Sequence, residues 1–219
     1  MTKNWKRSRK VATSPIIEKK YYIFCEGEKT EPNYFKGIKR KIERKALYKN
    51  AVFVDVQGVG KGTLKILDTA VDYVKRNKIT DAEIWIVYDK DEFLAEDFNK
   101  VAIIAEKLNN DSKDITYNVA WSNQCIEYWF ILHFDYYESD NDRKYYIDYL
   151  NQKFKELDAG EYKKNRDDIF EILEKFGNAD QAVKFANKRL KEFKGCSDAN
   201  SVPATKVHLL YTRLKEYFS

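Results

Sequence analysis

The sequence predicts an α/β fold, a parallel sheet flanked by helices and followed by a mostly helical C-terminal part. Three observations carry this reading. Short apolar runs alternate with segments of helical period between Tyr21 and Ala120, the β-α-β-α order that builds a parallel sheet covered on both faces. Two of the runs, Tyr21–Cys25 and Ile84–Tyr88, stop at acidic clusters, Glu26-Gly27-Glu28 and Asp89-Lys90-Asp91. Beyond Trp121 the strand-like runs give way to apolar stripes at helical spacing.

The elements follow in order. Tyr21–Cys25 is the first expected strand, with Gly27 allowing a tight turn. Glu31-Pro32 marks a helix start, because proline is tolerated in the first turn and an acidic residue suits the positive end of the helix dipole. This helix is expected to reach about Tyr48. Ala51–Val56 is the second strand, followed by a helix carrying Leu64, Leu67, Val71 and Val74. Ile84–Tyr88 is the third strand, followed by an amphipathic helix with Phe98, Val101, Ile104, Ala105 and Leu108, and Thr116–Ala120 is the fourth. Ser122 and Asn123 are good N-cap residues for a helix carrying Glu127, Trp129, Phe130, Leu132 and His133. Further helices are expected over Asp142–Phe154, Asp167–Phe176, Ala179–Phe193 and Ala204–Phe218, and Asp135–Lys144 is the best boundary or exposed loop. The resulting organisation is a basic leader over 1–20, an α/β core over 21–134 and a helical part over 135–219 packed on that core.

Composition excludes several classes. A hydrophobic content of 43% with 15% aromatics supports a real core, and three Pro with eight Gly argue against a long looped chain. No run approaches the roughly 18 apolar residues of a membrane span, and the N-terminus lacks an apolar signal segment. Cys25, Cys125 and Cys196 are odd in number and widely spaced, which fits a reducing cytoplasm rather than a disulfide framework. With only His133 and His208, a histidine-based zinc site is not expected. The net charge of +5 is concentrated in the leader, where seven Lys/Arg face one Glu. A second basic block, Lys36–Lys49, has seven Lys/Arg against Glu43. Such blocks suit the phosphate backbone of nucleic acid, and equally a solvated tail and helix face.

The acidic clusters carry the chemistry. In an open α/β sheet, ligands bind outside the carboxyl ends of the strands. Glu26 and the Asp89-x-Asp91 pair, each following a strongly apolar strand, are therefore expected at one edge. Carboxylates that close repel one another and call for a cation; oxygen ligands suit Mg²⁺ or Mn²⁺. Lys29 stands near enough in sequence to contact phosphate, although Glu28, Lys29 and Glu31 read equally well as a first-turn capping set. Glu127, a carboxylate inside the aromatic run Cys125–Phe134, needs a partner, while His133 reads as a hydrogen-bonded packing residue. Gly58-Val59-Gly60-Lys61-Gly62 imitates a phosphate-binding P-loop but lacks its pattern: Asp55 stands where the first Gly belongs, and Gly62 where Ser or Thr should follow Lys61.

Three segments together resemble the RloB-like family, associated with bacterial and phage-defence loci and including AbiLii-type abortive-infection components. They are Cys25-Glu26-Gly27-Glu28-Lys29-Thr30-Glu31-Pro32-Asn33-Tyr34-Phe35, then Tyr88-Asp89-Lys90-Asp91, then Ser122 through Phe134; the start of a final helix, Pro203-Ala204-Thr205-Lys206-Val207, resembles that family's end. The resemblance covers roughly residues 20–215, with Gln124 departing where a residue such as Pro is expected. It implies a Toprim-like sheet in which one Glu and an Asp-x-Asp handle Mg²⁺, with Glu26 matching the glutamate and Asp89 and Asp91 the pair. It also implies phosphodiester chemistry and an AAA-type ATPase as a possible partner.

The expected function is a Mg²⁺- or Mn²⁺-dependent nuclease acting in anti-phage defence. Glu26 and Lys29 are its expected catalytic groups, and Glu26, Asp89, Asp91 and Glu127 its metal ligands. DNA or RNA would lie on Lys36, Lys39, Arg40, Arg44 and Lys45. The alternative is a non-catalytic nucleic-acid-binding or sensor subunit of an ATPase-linked system, its acidic cluster a remnant.

Overall fold

The structure, a computed structural model, describes residues 18–45, 51–60, 62–91 and 93–219. Strand β1 (Lys19–Cys25) pairs in parallel with β2 (Val52–Gly58) on one side and β3 (Ala82–Asp89) on the other. β3 pairs in parallel with β4 (Ile115–Asn123). The crossovers are α1 (Thr30–Arg44), α2 (Thr63–Arg76) and α3 (Ala95–Asp111). A two-residue strand, β5 (Ala204–Thr205), adds antiparallel to β4 and completes a five-stranded sheet of order β2-β1-β3-β4-β5.

The alternation of side chains along each strand splits the core into two layers. Tyr21, Ile23 and Cys25 of β1, with Trp85 and Val87 of β3, face a layer that contains α1 and the later helices. Phe24, Ile84, Ile86 and Tyr88 face the opposite layer, packed on Ile66, Leu67 and Ala70 of α2 and on Phe98, Val101 and Ala105 of α3. Both faces of β1 and β3 are therefore buried, which is why these strands read as unbroken apolar runs.

The first layer is built largely by α4 (Glu127–Ile131), α5 (Arg143–Glu156), α6 (Ile169–Phe176), α7 (Ala179–Glu192) and α8 (Val207–Lys215). α4 is buried along its whole length. Trp129 donates from its ring nitrogen to the Tyr34 hydroxyl at 2.9 Å, tying α4 to α1. Tyr34 also packs edge-on against Phe170 of α6. The helical part thus shares one continuous apolar layer with the sheet.

Three expectations are corrected. Ser122 and Asn123 do not cap a helix: they are the last residues of β4, paired with Thr205 and Ala204. Their polar groups serve that pairing instead, with Ser122 Oγ and Thr205 Oγ1 at 3.0 Å and Asn123 Nδ2 donating to the Ala199 carbonyl at 2.9 Å. For the same reason the final helix starts at Val207 rather than Ala204. α1 ends at Arg44, because Lys45 is already extended. Most of the basic leader (1–17) and residues 46–50 of the second basic block lie outside the described residues; Lys19 and Lys20 open β1.

Candidate functional site

The carboxyl edge of the sheet is assembled by backbone contacts between neighbouring turns. The amide of Glu26, one residue past β1, donates to the Val87 carbonyl at 2.9 Å, which fixes it beside the end of β3. The turn after β2 closes over it, with Val59 N donating to Cys25 O and Gly60 N to Glu26 O, both at 2.9 Å. A Cβ on Gly58 would lie 2.9 Å from the Gly27 carbonyl oxygen, so this close approach of two backbones needs glycine. A Cβ on Gly27 would meet the Glu31 carboxylate at 2.3 Å, so Gly27 makes the room into which Glu31 folds.

The turn after β3 is held from β4. Lys90 N donates to Ser122 O (2.9 Å) and Gln124 O (3.1 Å), and Asp91 N also donates to Gln124 O at 3.1 Å. Asp91 adopts φ 37°, a left-handed conformation that Asp tolerates better than most residues.

These turns bring Glu26, Asp89 and Asp91 to one pocket of about 450 Å³, whose other lining residues include Lys29, Glu31, Phe93, Arg143 and Lys164. Glu26 Oε2 accepts a hydrogen bond from the Asp89 amide at 3.1 Å. Asp89 is only 3% exposed; its Oδ2 accepts from Ile126 N at 3.2 Å, and its Oδ1 has no hydrogen-bond partner among the described residues. Glu127 is fully buried: Oε1 accepts from the Tyr162 hydroxyl at 2.9 Å, and Oε2 has no partner among the described residues.

One guanidinium meets this set. Arg143, the first residue of α5, donates from Nη1 to Asp91 Oδ1 and Oδ2 at 2.7 and 2.8 Å. Its Nη2 lies 3.8 Å from Asp89 Oδ2, and its Nε is buried without a partner among the described residues.

The electrostatics follow from this geometry. Burial, then the charges of Glu31, Glu127 and Asp91, push the Asp89 carboxyl well above its usual range, and Arg143 offsets only part of that. Burial also raises Asp91 despite its bond to Arg143. Glu31 is raised by burial and by Glu127, against a backbone hydrogen bond and Arg143. Burial works against charge on Arg143, but Glu127, Asp91 and Asp89 outweigh it and keep the guanidinium protonated. Burial and mutual repulsion thus work against charge on the Asp89, Asp91 and Glu31 carboxyls.

Sequence reasoning missed Arg143, Tyr162 and Lys164, and it left Glu31 between capping and function. Arg143 fell at the edge of a stretch read as a boundary loop. Tyr162 and Lys164 come from the connection between α5 and α6, which is fastened to α1 by Thr30 Oγ1 donating to Lys164 O (2.9 Å) and Asn33 Nδ2 to Arg166 O (3.0 Å). Nothing local in the sequence signals that contact.

Two of the five expected contact residues have acidic partners. Arg40 bonds Glu171 of α6 at 2.8 Å and the Asp167 carbonyl at 2.8 Å, and Lys39 lies 4.0 Å from Glu43. Lys41, in the same block, pairs with Glu174. Lys36, Arg44 and Lys45 are exposed. Lys29 is exposed at the pocket rim, one residue before α1. His133 is buried, its Nδ1 3.0 Å from the Trp129 carbonyl oxygen, the packing role its setting predicts.

A family model described as RloB-like protein matches residues 21–214. The chain belongs to the RloB-like family. No curated protein and no solved structure matches it. The RloB-like match runs from β1 to α8, so it takes in the acidic edge, α4, Arg143 and the Tyr162–Lys164 connection together. No helix among the described residues is long and apolar enough to cross a membrane.

Proposed function

We propose that this RloB-like protein is a Mg²⁺- or Mn²⁺-dependent nuclease that hydrolyses phosphodiester bonds in bacterial anti-phage defence, on a Toprim-like sheet of the kind the AbiLii-type proteins resemble. The observation that carries the reading is the direct contact of Glu26 with the backbone of buried Asp89, at the carboxyl edge of adjacent parallel strands, in a pocket open to substrate.

The residues fit a hard divalent cation in their chemistry. The donors are all carboxylate oxygens, and buried Asp89 Oδ1 has no partner among the described residues. The side chains do not yet converge: among the described residues no group of three His, Cys, Asp or Glu stands together closely enough to hold an ion, and Asp91 is taken by Arg143. Glu26, Asp89 and Asp91 would hold the ion, with Glu127 beneath them as a buried charge oriented by Tyr162. Bound there, the ion supplies an activated water and neutralises charge at the phosphorus. Glu26, at the pocket wall, is the group to move a proton at the attacking water, and Lys29 and Lys164 at the rim draw in the phosphate backbone. Lys36, Arg44 and Lys45 extend that contact across α1. An AAA-type ATPase partner belongs to the same proposal.

The rival reading, a non-catalytic sensor subunit, draws support from the Asp91–Arg143 pair, which already neutralises part of the cluster. Incubation of the purified chain with single- and double-stranded DNA, RNA and tRNA separates the two. The nuclease reading expects cleavage with Mg²⁺ or Mn²⁺, none with chelator, and none from Glu26→Gln. Cleavage that persists in Glu26→Gln or in chelator contradicts it. Nucleic-acid binding without cleavage, with and without an ATPase encoded beside it, favours the sensor.

A further inference from the structure

Arg143 is bonded in a way that a purely structural bridge would not require. A guanidinium has five N–H donors in a fixed fork, and a carboxylate usually takes two of them side by side. Among the described residues only Nη1 makes hydrogen bonds, and both go to the same carboxylate. Nη2 stands 3.8 Å from Asp89, beyond hydrogen-bond distance, and Nε has no partner among the described residues. The side chain is one-third exposed and lines the pocket shared by Glu26 and Asp89. Asp89, 3% exposed, lines the same pocket, and its Oδ1 has no partner among the described residues.

We infer that Arg143 is a displaceable counter-ion: it occupies Asp91 in the resting protein, competes with a divalent cation for that carboxylate, and transfers to a substrate phosphate when one arrives. This rests on the divalent-ion reading of the site and deepens it by assigning a residue that couples ion and substrate. The physical reason is charge. A dication at Asp89 and Asp91 and a guanidinium on Asp91 repel at short range, so each weakens the other while both share one carboxylate. A phosphate oxygen offers the guanidinium a second anionic partner of matching geometry. Once Arg143 moves there, Asp91 is released to the ion, and ion and phosphate favour each other reciprocally. Arg143 is thus a positioning residue for Asp91 and a binding residue for phosphate.

The test is a titration with Mn²⁺ followed by electron paramagnetic resonance, on the full chain, with thymidine 5′-monophosphate as the phosphate probe. Arg143→Gln is expected to bind Mn²⁺ on the order of tenfold tighter than the wild type, the usual size of a coupling between two sites. The nucleotide is expected to tighten Mn²⁺ binding in the wild type and to lose that effect in Arg143→Gln. Arg143→Lys keeps the charge without the planar fork and is expected to fall between the two; it carries the test should the glutamine variant not fold. Mn²⁺ affinity in these variants equal to or weaker than wild type, while Asp89→Asn still abolishes binding, overturns the role of Arg143 and leaves the ion site standing. Absence of Asp89-dependent Mn²⁺ binding in every protein overturns both.

Discussion

Two charged regions of this molecule are built from similar residues and reach opposite outcomes. On α1, three of the five basic side chains meet acidic ones, Arg40 with Glu171, Lys41 with Glu174 and Lys39 with Glu43, while Lys36 and Arg44 are exposed. At the carboxyl edge of the sheet, Glu26, Glu31, Asp89, Asp91 and Glu127 gather around the single guanidinium of Arg143. The first region is partly matched and half-exposed, and its Arg40 and Lys41 pairs serve to dock α6 on α1. The second crowds carboxylates together and buries Glu31, Asp89 and Glu127, an arrangement that costs stability unless a ligand completes it. The comparison turns on burial: the α1 charges are solvated or paired, whereas Asp89 and Glu127 are carboxyls held inside the fold.

The largest expected effects break the crowded acidic region. Asp89→Asn and Glu26→Gln should each lower metal-dependent hydrolysis by a factor on the order of a thousand or more, because each removes charge from the group that holds or serves the ion. Asp89→Asn should also raise the melting temperature at neutral pH in chelator. Burial and neighbouring carboxylates hold the folded-state value of Asp89 above the usual 3.8, so its ionisation above that pH weighs against the folded form. Calorimetry reads this directly; a lower melting temperature would mean that the Arg143 and Ile126 contacts outweigh the burial of charge.

Tyr162→Phe comes next. It strips the Tyr162 hydrogen bond from buried Glu127 and should cost about 1–3 kcal/mol in urea unfolding, the penalty of leaving a buried acceptor atom unpaired. The matched region should respond far less. Arg40→Ala and Lys41→Ala are expected to cost at most about 1 kcal/mol each and to leave nucleic-acid affinity nearly unchanged. Neutralising Lys29 and Lys164 at the pocket rim should instead weaken binding and flatten its dependence on salt, by about 0.9 of slope per lost phosphate contact on duplex DNA. The reverse pattern, with α1 carrying the salt dependence, would restore the basic helix as the main footprint.

A separate effect is a pH dependence away from both regions. Burial lowers His133 and His208 from 6.5 to about 4, so the unfolded chain binds protons that the folded chain refuses. Stability should be complete above pH 6.5 and fall as the pH drops toward 4. His133→Gln should flatten that fall in a pH series of denaturation midpoints.

Much of the fold was legible because β1 and β3 are buried on both faces and therefore read as unbroken apolar runs, with α1, α2 and α3 between the strands. The placement of Glu26 and Asp89 followed from the same runs, since a parallel sheet puts both strand ends on one edge. What escaped was non-local. Ser122 and Asn123 look like caps until Ala204–Thr205 returns some eighty residues later to pair with them. Arg143 looks like a helix-start residue until the fold sets α5 over the turn after β3. The α1 block looks free until α6, with Glu171 and Glu174, lies against it. Local pattern reports burial and period; it does not report which distant charge will answer a nearby one.

The central claim is that the crowded carboxylates at this edge form a divalent-ion site. Crystals of the chain grown at saturating Mn²⁺ and measured at the manganese absorption edge test it most directly. The account predicts an anomalous peak within bonding distance of the Glu26 and Asp89 carboxylates, absent from Asp89→Asn crystals grown in the same way. No peak at the carboxyl edge, or one that survives in Asp89→Asn, would contradict it.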